Sequence, residues 1–337
     1  MNTTVIVKGI AFGIAASIGL ASVAAAETVR LRFHTFYGTE MDEFAKKMRD
    51  TVKEASGGDL RIQYFRGGEL VASDQFVDAV SKGTIDIAYG VGSYWGGQLD
   101  LGNIEAGLPG AWTTAEEARA LFEDKGLDTL LAEAYAGKGV KLIGRGYGSN
   151  YDLLTKEPVN SLEDLKSMKI RATGQMAKVL EAFDIPTVYL PAQELYIGLS
   201  TGVIDGAIYG GPVEYEQLKL HEAATHYTFL NLLNPGWIET VIINPDVWEG
   251  LSETHRQILR DAIDQYAADI HNWLEEGNQK IVQDGDIFEF STLPAEDSAR
   301  LTEAAQSVWQ EEAAKSERNA RAVEILAENA RAEGRLK

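Results

Sequence analysis

The chain has 337 residues, a formal charge of −20 and no cysteine. Such an acid excess repels nucleic acid and anionic lipid over long range. Without disulfides an exported chain of this length rests on its core alone, and the length favours two lobes over one.

Residues 1–26 read as a secretory leader. Lys8 supplies the positive start, Gly9 to Leu20 a short apolar run, and Ala24-Ala25-Ala26 the small residues before cleavage near Ala26. The run is too short and too glycine-rich for a comfortable membrane span. No later stretch is long and apolar enough to cross a bilayer, so an exported, periplasmic protein is expected. Loss of Lys8 takes the charge to about −21. That charge does not exclude an anionic ligand, because a cation buried in a cleft outweighs screened surface charge.

Val29 to Thr35 alternates as a first strand, and Thr39 to Ala55 carries a helical apolar face. Gly57-Gly58 ends that helix before a strand at Leu60 to Phe65. A helix at Gln75 to Val80 leads into a short strand and a turn at Tyr89-Gly90. Ala115 to Ala136 reads as helical, Val140 to Ile143 as a strand, and Gly144 to Ser149 as a glycine-rich loop. Tyr151 to Thr155 continues the sheet. Asn160-Ser161 caps a short helix, Met168 to Ala172 is a brief strand and Gly174 to Phe183 a helix. Ile185 to Leu190 is a strand, and Pro191 opens a helix over Gln193 to Leu199. A strand at Glu239 to Ile243, a long helix from Ser252 to Gln283 and a helical region from Pro294 to Ala330 complete the chain. Strands alternating with helices predict α/β layers with mostly parallel sheets.

Two stretches nearly repeat: Ser81-Lys82-Gly83-Thr84-Ile85-Asp86-Ile87-Ala88 and Ser200-Thr201-Gly202-Val203-Ile204-Asp205-Gly206-Ala207. Each follows an apolar-faced helix that stops at a glycine able to turn left-handed. Two such units suggest two lobes built alike, with a ligand between them. A chance match of two helix–strand junctions is the plain alternative.

Arg171 ends a strand beside a helix start. A guanidinium there is placed to grip a carboxylate bidentately, helped by the helix amides. A surface arginine on a short strand is the ordinary reading. Arg145, Asn150 and Tyr151 sit in or after the glycine-rich segment, which reads either as a ligand loop or as a structural turn. It has neither the dinucleotide fingerprint nor the nucleophile elbow. Phe36, Tyr94, Trp95, Tyr209 and Trp237 follow strands or turns and are expected to wall a cleft, or else to pack within the lobes. His221 and His226 are five apart, about 140° around a helix, so they do not form the zincin pair. No cofactor, metal or catalytic set declares itself.

The stretch from Asn160 to Pro212, NSLEDLKSMKIRATGQMAKVLEAFDIPTVYLPAQELYIGLSTGVIDGAIYGGP, resembles the substrate-binding proteins of tripartite ATP-independent periplasmic (TRAP) transporters, of the DctP type. The resemblance extends over essentially the whole mature chain. It implies an α/β, two-lobed periplasmic-binding-protein fold with a hinge, a cleft and a long bracing helix. Lobe I would be residues 27–148 plus 237–276, and lobe II residues 149–236 plus 277–337. It implies that Arg171 holds the ligand's carboxylate and that no chemistry is performed. FVDAVSKGTIDIAYGVGSYWGGQ is similar to the branch for 2-oxo and hydroxy acids. Some members of that branch hold a cation through three ligands, which align with Asn150, Ile208 and Glu239. The isoleucine removes the middle carboxylate, which speaks against a cation and against a 2-oxo acid. The second arginine of the sialic-acid branch aligns with Tyr151, with Arg145 nearby but displaced, and Tyr209 replaces that branch's asparagine.

The expected role is therefore an extracytoplasmic receptor for a small organic acid. It would work with small and large TRAP membrane subunits, without nucleic acid, as a monomer or as a dimer through its C-terminal helix. The alternatives are the binding component of another importer or sensor, and an exported small-acid hydrolase.

Overall fold

The computed structural model of the chain describes Met1 and residues 28–336. Residues 2–26 of the expected leader, with its cleavage point, lie outside the described residues. In chain order the strands are β1 (Val29–Thr35), β2 (Leu60–Phe65), β3 (Ile87–Val91), β4 (Lys141–Tyr147), β5 (Leu153–Thr155), β6 (Ile170–Arg171), β7 (Thr187–Val188), β8 (Gly206–Ile208), β9 (His226–Phe229), β10 (Ile238–Ile243) and β11 (Glu289–Thr292). They form two sheets, ordered β2-β1-β3-β10-β4 and β11-β9-β5-β8-β6-β7.

The near-repeat is a repeat of structure. In the first copy Gly83 takes φ +69°, Ile85 is buried, and Asp86 accepts the Arg32 N–H at 2.7 Å. In the second, Gly202 takes φ +77°, Ile204 is buried, and Asp205 accepts the Lys169 N–H at 2.9 Å. Each aspartate thus brackets the neighbouring parallel strand, β1 in one sheet and β6 in the other. The same few residues solve the same junction twice.

Several expectations need correction. The sheets are mixed, because β10 runs antiparallel to β3 and β4, and β5 antiparallel to β8 and β9. Those strands carry the chain across between the sheets and back. Tyr89-Gly90 lies inside β3 and is not a turn. The glycine-rich loop begins as strand: β4 runs on to Tyr147, through Gly144 and Gly146. A Cβ at Gly146 would meet the Glu239 carboxylate and the Tyr89 hydroxyl. Glycine is there because β10 packs too closely for anything larger. The C-terminal region is two helices, Ala295–Ala313 and Glu317–Ala332, broken where Ser316 caps the second.

Helix Glu253–Asp284, 32 residues long, buries Leu259, Ile263, Tyr266, Ile270, Leu274 and Ile281 along one stripe. It packs on helix Asp42–Ala55 beside the first sheet and on helix Pro212–Gln217 beside the second. Helix Ala295–Ala313 packs against helix Gly174–Glu181. Residues 277–337 were expected to stay with lobe II, yet helix Glu317–Ala332 lies on helices Ala115–Glu123 and Leu127–Ala136 next to the first sheet.

Candidate functional site

Arg171 is the last residue of β6 and is only 2% exposed. Its Nε donates to the Leu190 carbonyl at 3.0 Å and its Nη1 to the Ile208 carbonyl at 2.8 Å. Those two bonds, on opposite sides of the group, fix the guanidinium plane. Nη2 has no hydrogen-bond or ion-pair partner among the described residues. Tyr209 and Tyr189 lie over the group, with ring centres 5.3 and 5.8 Å from Cζ. A buried cation with an unpartnered donor nitrogen is an anion site in waiting, since an unpaired buried charge is costly.

That residue lines a small, partly open cavity. Phe36, Ser93, Tyr94, Asn103 and Pro109 come from the first sheet's side. Tyr151, Thr173, Gln175, Met176 and Tyr209 come from the second, and Trp237 from the junction. The cavity thus sits between the two layers. Helix Gly174–Glu181 starts on its wall with no side-chain cap, so its first amides face that way unpaired by a cap. The one hydroxyl that might have capped it, Thr173 Oγ1, is instead 2.8 Å from the Tyr151 hydroxyl. A wider groove with Tyr189, Glu69 and Gln193 on its walls continues outward from Phe36, Tyr94 and Thr173.

Of the ten residues singled out from the sequence, six line this cavity: Arg171, Tyr151, Tyr209, Tyr94, Trp237 and Phe36. Four do not. Trp95 is buried and donates its indole N–H to the Tyr135 hydroxyl at 3.0 Å, as core packing requires. Arg145 faces the other side of β4, over the Phe122 ring, paired with Glu105 at 3.2 Å and with Asp128. Its job is to neutralise Glu105, whose carboxyl burial pushes above its usual range. Asn150 donates weakly to Asp152 at 3.4 Å. Glu239 is fully buried behind Trp237, accepting from the Tyr37 and Tyr89 hydroxyls and from Trp237 Nε1 at 3.3 Å. Burial raises its pKa and those donors pull it back. Of the three aligned cation positions, Ile208 offers its carbonyl to Arg171 and Glu239 is spent on two tyrosine hydroxyls and Trp237. No cluster of three metal-ligating side chains occurs among the described residues.

The sequence reading missed Asn103, Thr173 and Gln175 in the cavity wall. It also missed a polar knot behind it. Glu214 caps Gly211 N–H at 3.0 Å and accepts from Ser149 Oγ at 3.3 Å. Asn278 of the long helix donates to that same Ser149 Oγ at 2.9 Å and accepts Val213 N–H at 3.0 Å. The knot ties the crossing segment at Ser149 to the bracing helix. Burial, with Glu239 nearby, pushes the Glu214 carboxyl up to about 8. The two crossing segments are joined directly as well: Gly148 N–H donates to the Trp237 carbonyl and Gly236 N–H to that of Ser149. Asp152 then receives Leu230 N–H at 2.7 Å and the Tyr227 hydroxyl at 3.0 Å.

Residues 37–316 match the sequence profile of bacterial extracellular solute-binding protein, family 7, DctP. The chain belongs to that family. As a DctP-family solute-binding protein of the TRAP type, it shares the two-sheet architecture of solved relatives. It is similar to a TRAP periplasmic solute-binding protein of Chromohalobacter salexigens solved with bound (S)-(+)-2-amino-1-propanol, with TM-score 0.85 and 26% identity, covering 91% of this chain and 96% of that one. In sequence it is 28% identical to a monocarboxylate 2-oxoacid-binding periplasmic protein of Nostoc sp., over 69% of this chain and 65% of that protein. It is also 28% identical to the ectoine-binding periplasmic protein TeaA of Halomonas elongata, over 73% of this chain and 72% of that one. The match therefore spans a little under two thirds of the Nostoc protein and nearly three quarters of TeaA.

Proposed function

We propose that this receptor captures a small organic carboxylate in the periplasm and delivers it to the membrane subunits of a TRAP transporter, making and breaking no bond. One observation carries the reading: Arg171, buried and pinned by two carbonyls, keeps Nη2 without a partner in an aromatic-walled cavity between two sheets. In the bound state the carboxylate pairs with the guanidinium through Nη2 and lies near the first amides of helix Gly174–Glu181. Tyr151, Tyr209, Tyr94, Phe36 and Trp237 enclose its carbon skeleton. The relatives agree in kind, since one is named for monocarboxylate 2-oxoacids and another for ectoine, and each is periplasmic by name.

The lobes are taken as residues 27–148 plus 237–276 and residues 149–236 plus 277 to about 316, with the last helix returning to lobe I. Ligand contact with both lobes biases the hinge toward closure. Cleavage near Ala26 would release the receptor. Because the last helix is spent on lobe I, the monomer is favoured over a dimer built on that helix.

The test is a thermal-shift screen over organic acids, since a ligand specific to the folded state raises Tm. Mass detection of the recovered ligand follows. A carboxylate that raises Tm and returns unchanged is expected; chemical turnover of the ligand, or no response to any acid, overturns the reading.

A further inference from the structure

One corner of the cavity wall has more acceptors than donors. Gln175 and Asn103 both line the cavity, one from each side of the cleft. Behind them stands Glu312 of helix Ala295–Ala313, whose side chain is fully buried. Its Oε1 accepts from Gln175 Nε2, from Asn103 Nδ2 at 3.5 Å and from Lys315 Nζ. That arrangement fixes the amide of Gln175. Turned the other way, its oxygen would face the carboxylate, so the Nε2-inward orientation is the only one the charge allows. Gln175 Oε1 is then directed away from Glu312. It is buried and has no partner among the described residues, and neither has Glu312 Oε2. Two orphan acceptors, one of them the carboxylate's own second oxygen, with a half-exposed lysine as Glu312's one ion-pair partner among the described residues, make this wall electronegative.

We infer that Gln175 is a specificity-determining residue that accepts a hydrogen bond from the ligand. The solute then carries, besides the carboxylate, a donor group, and Glu312 behind the amide favours an ammonium over a hydroxyl. This rests on the carboxylate reading above and narrows it, from organic acids in general to amino and hydroxy acids. The physical ground is the asymmetry of buried hydrogen bonding. A ligand without the donor leaves the amide oxygen unsatisfied in the closed cavity, whereas one that supplies it removes a standing cost. The same wall discriminates against a 2-oxo group, which brings a further acceptor and no proton.

The experiment compares matched acids of three to six carbons by calorimetry: the unsubstituted acid, its 2-hydroxy, 2-amino and 2-oxo forms, and the ω-amino form. Within at least one set, a donor-bearing member is expected to bind about tenfold or more tightly than its unsubstituted parent. Gln175→Met, similar in volume and without the amide, should bring that ratio to within about threefold of one. Glu312→Gln should weaken the amino acid more than the hydroxy acid. Equal affinity across every matched set in the wild-type protein overturns the inference and leaves the carboxylate reading standing. A donor preference that survives Gln175→Met with a native melt moves the acceptor elsewhere and also overturns it. Failure of every acid to bind removes the carboxylate reading itself. The wild-type comparison needs no variant, so a poorly folded Gln175→Met still leaves a decisive result.

Discussion

Replacing Arg171 tests two roles of one side chain, the structural one seen in its hydrogen bonds and the proposed one toward the solute. Nε and Nη1 hold the chain, through the Leu190 and Ile208 carbonyls, and Nη2 is the donor proposed for the solute. Arg171→Met removes both. Nε and Nη1 contribute two charge-assisted hydrogen bonds in a site 2% exposed, so folding stability should fall by about 2–4 kcal/mol. For the ligand, loss of the guanidinium strands a buried carboxylate, a cost of about 3–5 kcal/mol, or roughly 150- to 5,000-fold in Kd. Arg171→Lys keeps the charge and loses the fork. A loss of about ten- to a hundredfold is expected for it, with part of the stability retained. Urea unfolding gives the first number, and calorimetry well below the melting transition gives the second, using the tightest acid of the screen. The primary amide of that acid serves as control, because it lacks the charge. If Arg171→Met binds the acid within about threefold of wild type, the guanidinium is not the anchor and the reasoning fails.

Three further outcomes follow from the same geometry. Glu214 titrates near 8 in the folded chain against 4.5 when free. The folded state thus holds a proton that the unfolded state has lost, and stability falls as pH rises from about 4.5 to 8, by at most about 4–5 kcal/mol from this group. Urea midpoints at pH 5 and 8.5 should show the drop. Glu214→Gln should shrink it without abolishing it, since burial also raises Glu105, Asp152 and Glu239; an unchanged slope would refute the assignment. Gly146→Ala sets a methyl against Glu239 and Tyr89 and should lower stability by about 1–3 kcal/mol, and an unaltered Tm would contradict the packing argument. Trp237→Ala removes an indole that packs edge-on to Tyr151 at 6.3 Å and bonds Glu239, which should cost about 3–5 kcal/mol and loosen ligand binding, read by melting and calorimetry.

Much of this site could be read from residue order, and the reason is local. Arg171, the glycine that starts the next helix and the repeated Gly-x-Ile-Asp junction lie within one run of chain, so spacing alone carries their geometry. Arg145 and Glu239 went astray for the opposite reason. They sit on β4 and β10, where Glu239 is opposite Gly146 and Thr240 opposite Arg145. Alternation along β4 sends Arg145 to the face away from Gly146, but glycines at 144 and 146 erase the apolar pattern that would have revealed a strand. Trp95 was misplaced because its neighbour Tyr94 faces the cavity and it faces the core, a choice settled by the tight turn of Gly92–Trp95. Gln175, Asn103 and Glu312 belong to three separate helices brought together only by folding, and no short pattern links them.

The segment Ala314–Ser316 joins a helix fastened beside the second sheet to one fastened beside the first. Three residues reach about 10 Å when fully extended. Trp309 just before them is moored to the Pro109 carbonyl at 2.9 Å, and Asn319 just after them to that of Asp100 at 3.0 Å. The gape of the jaws is accordingly leashed on this flank. Any widening of the cleft is therefore least along this flank, where both the short joining segment and the Trp309–Pro109 hydrogen bond span the two halves.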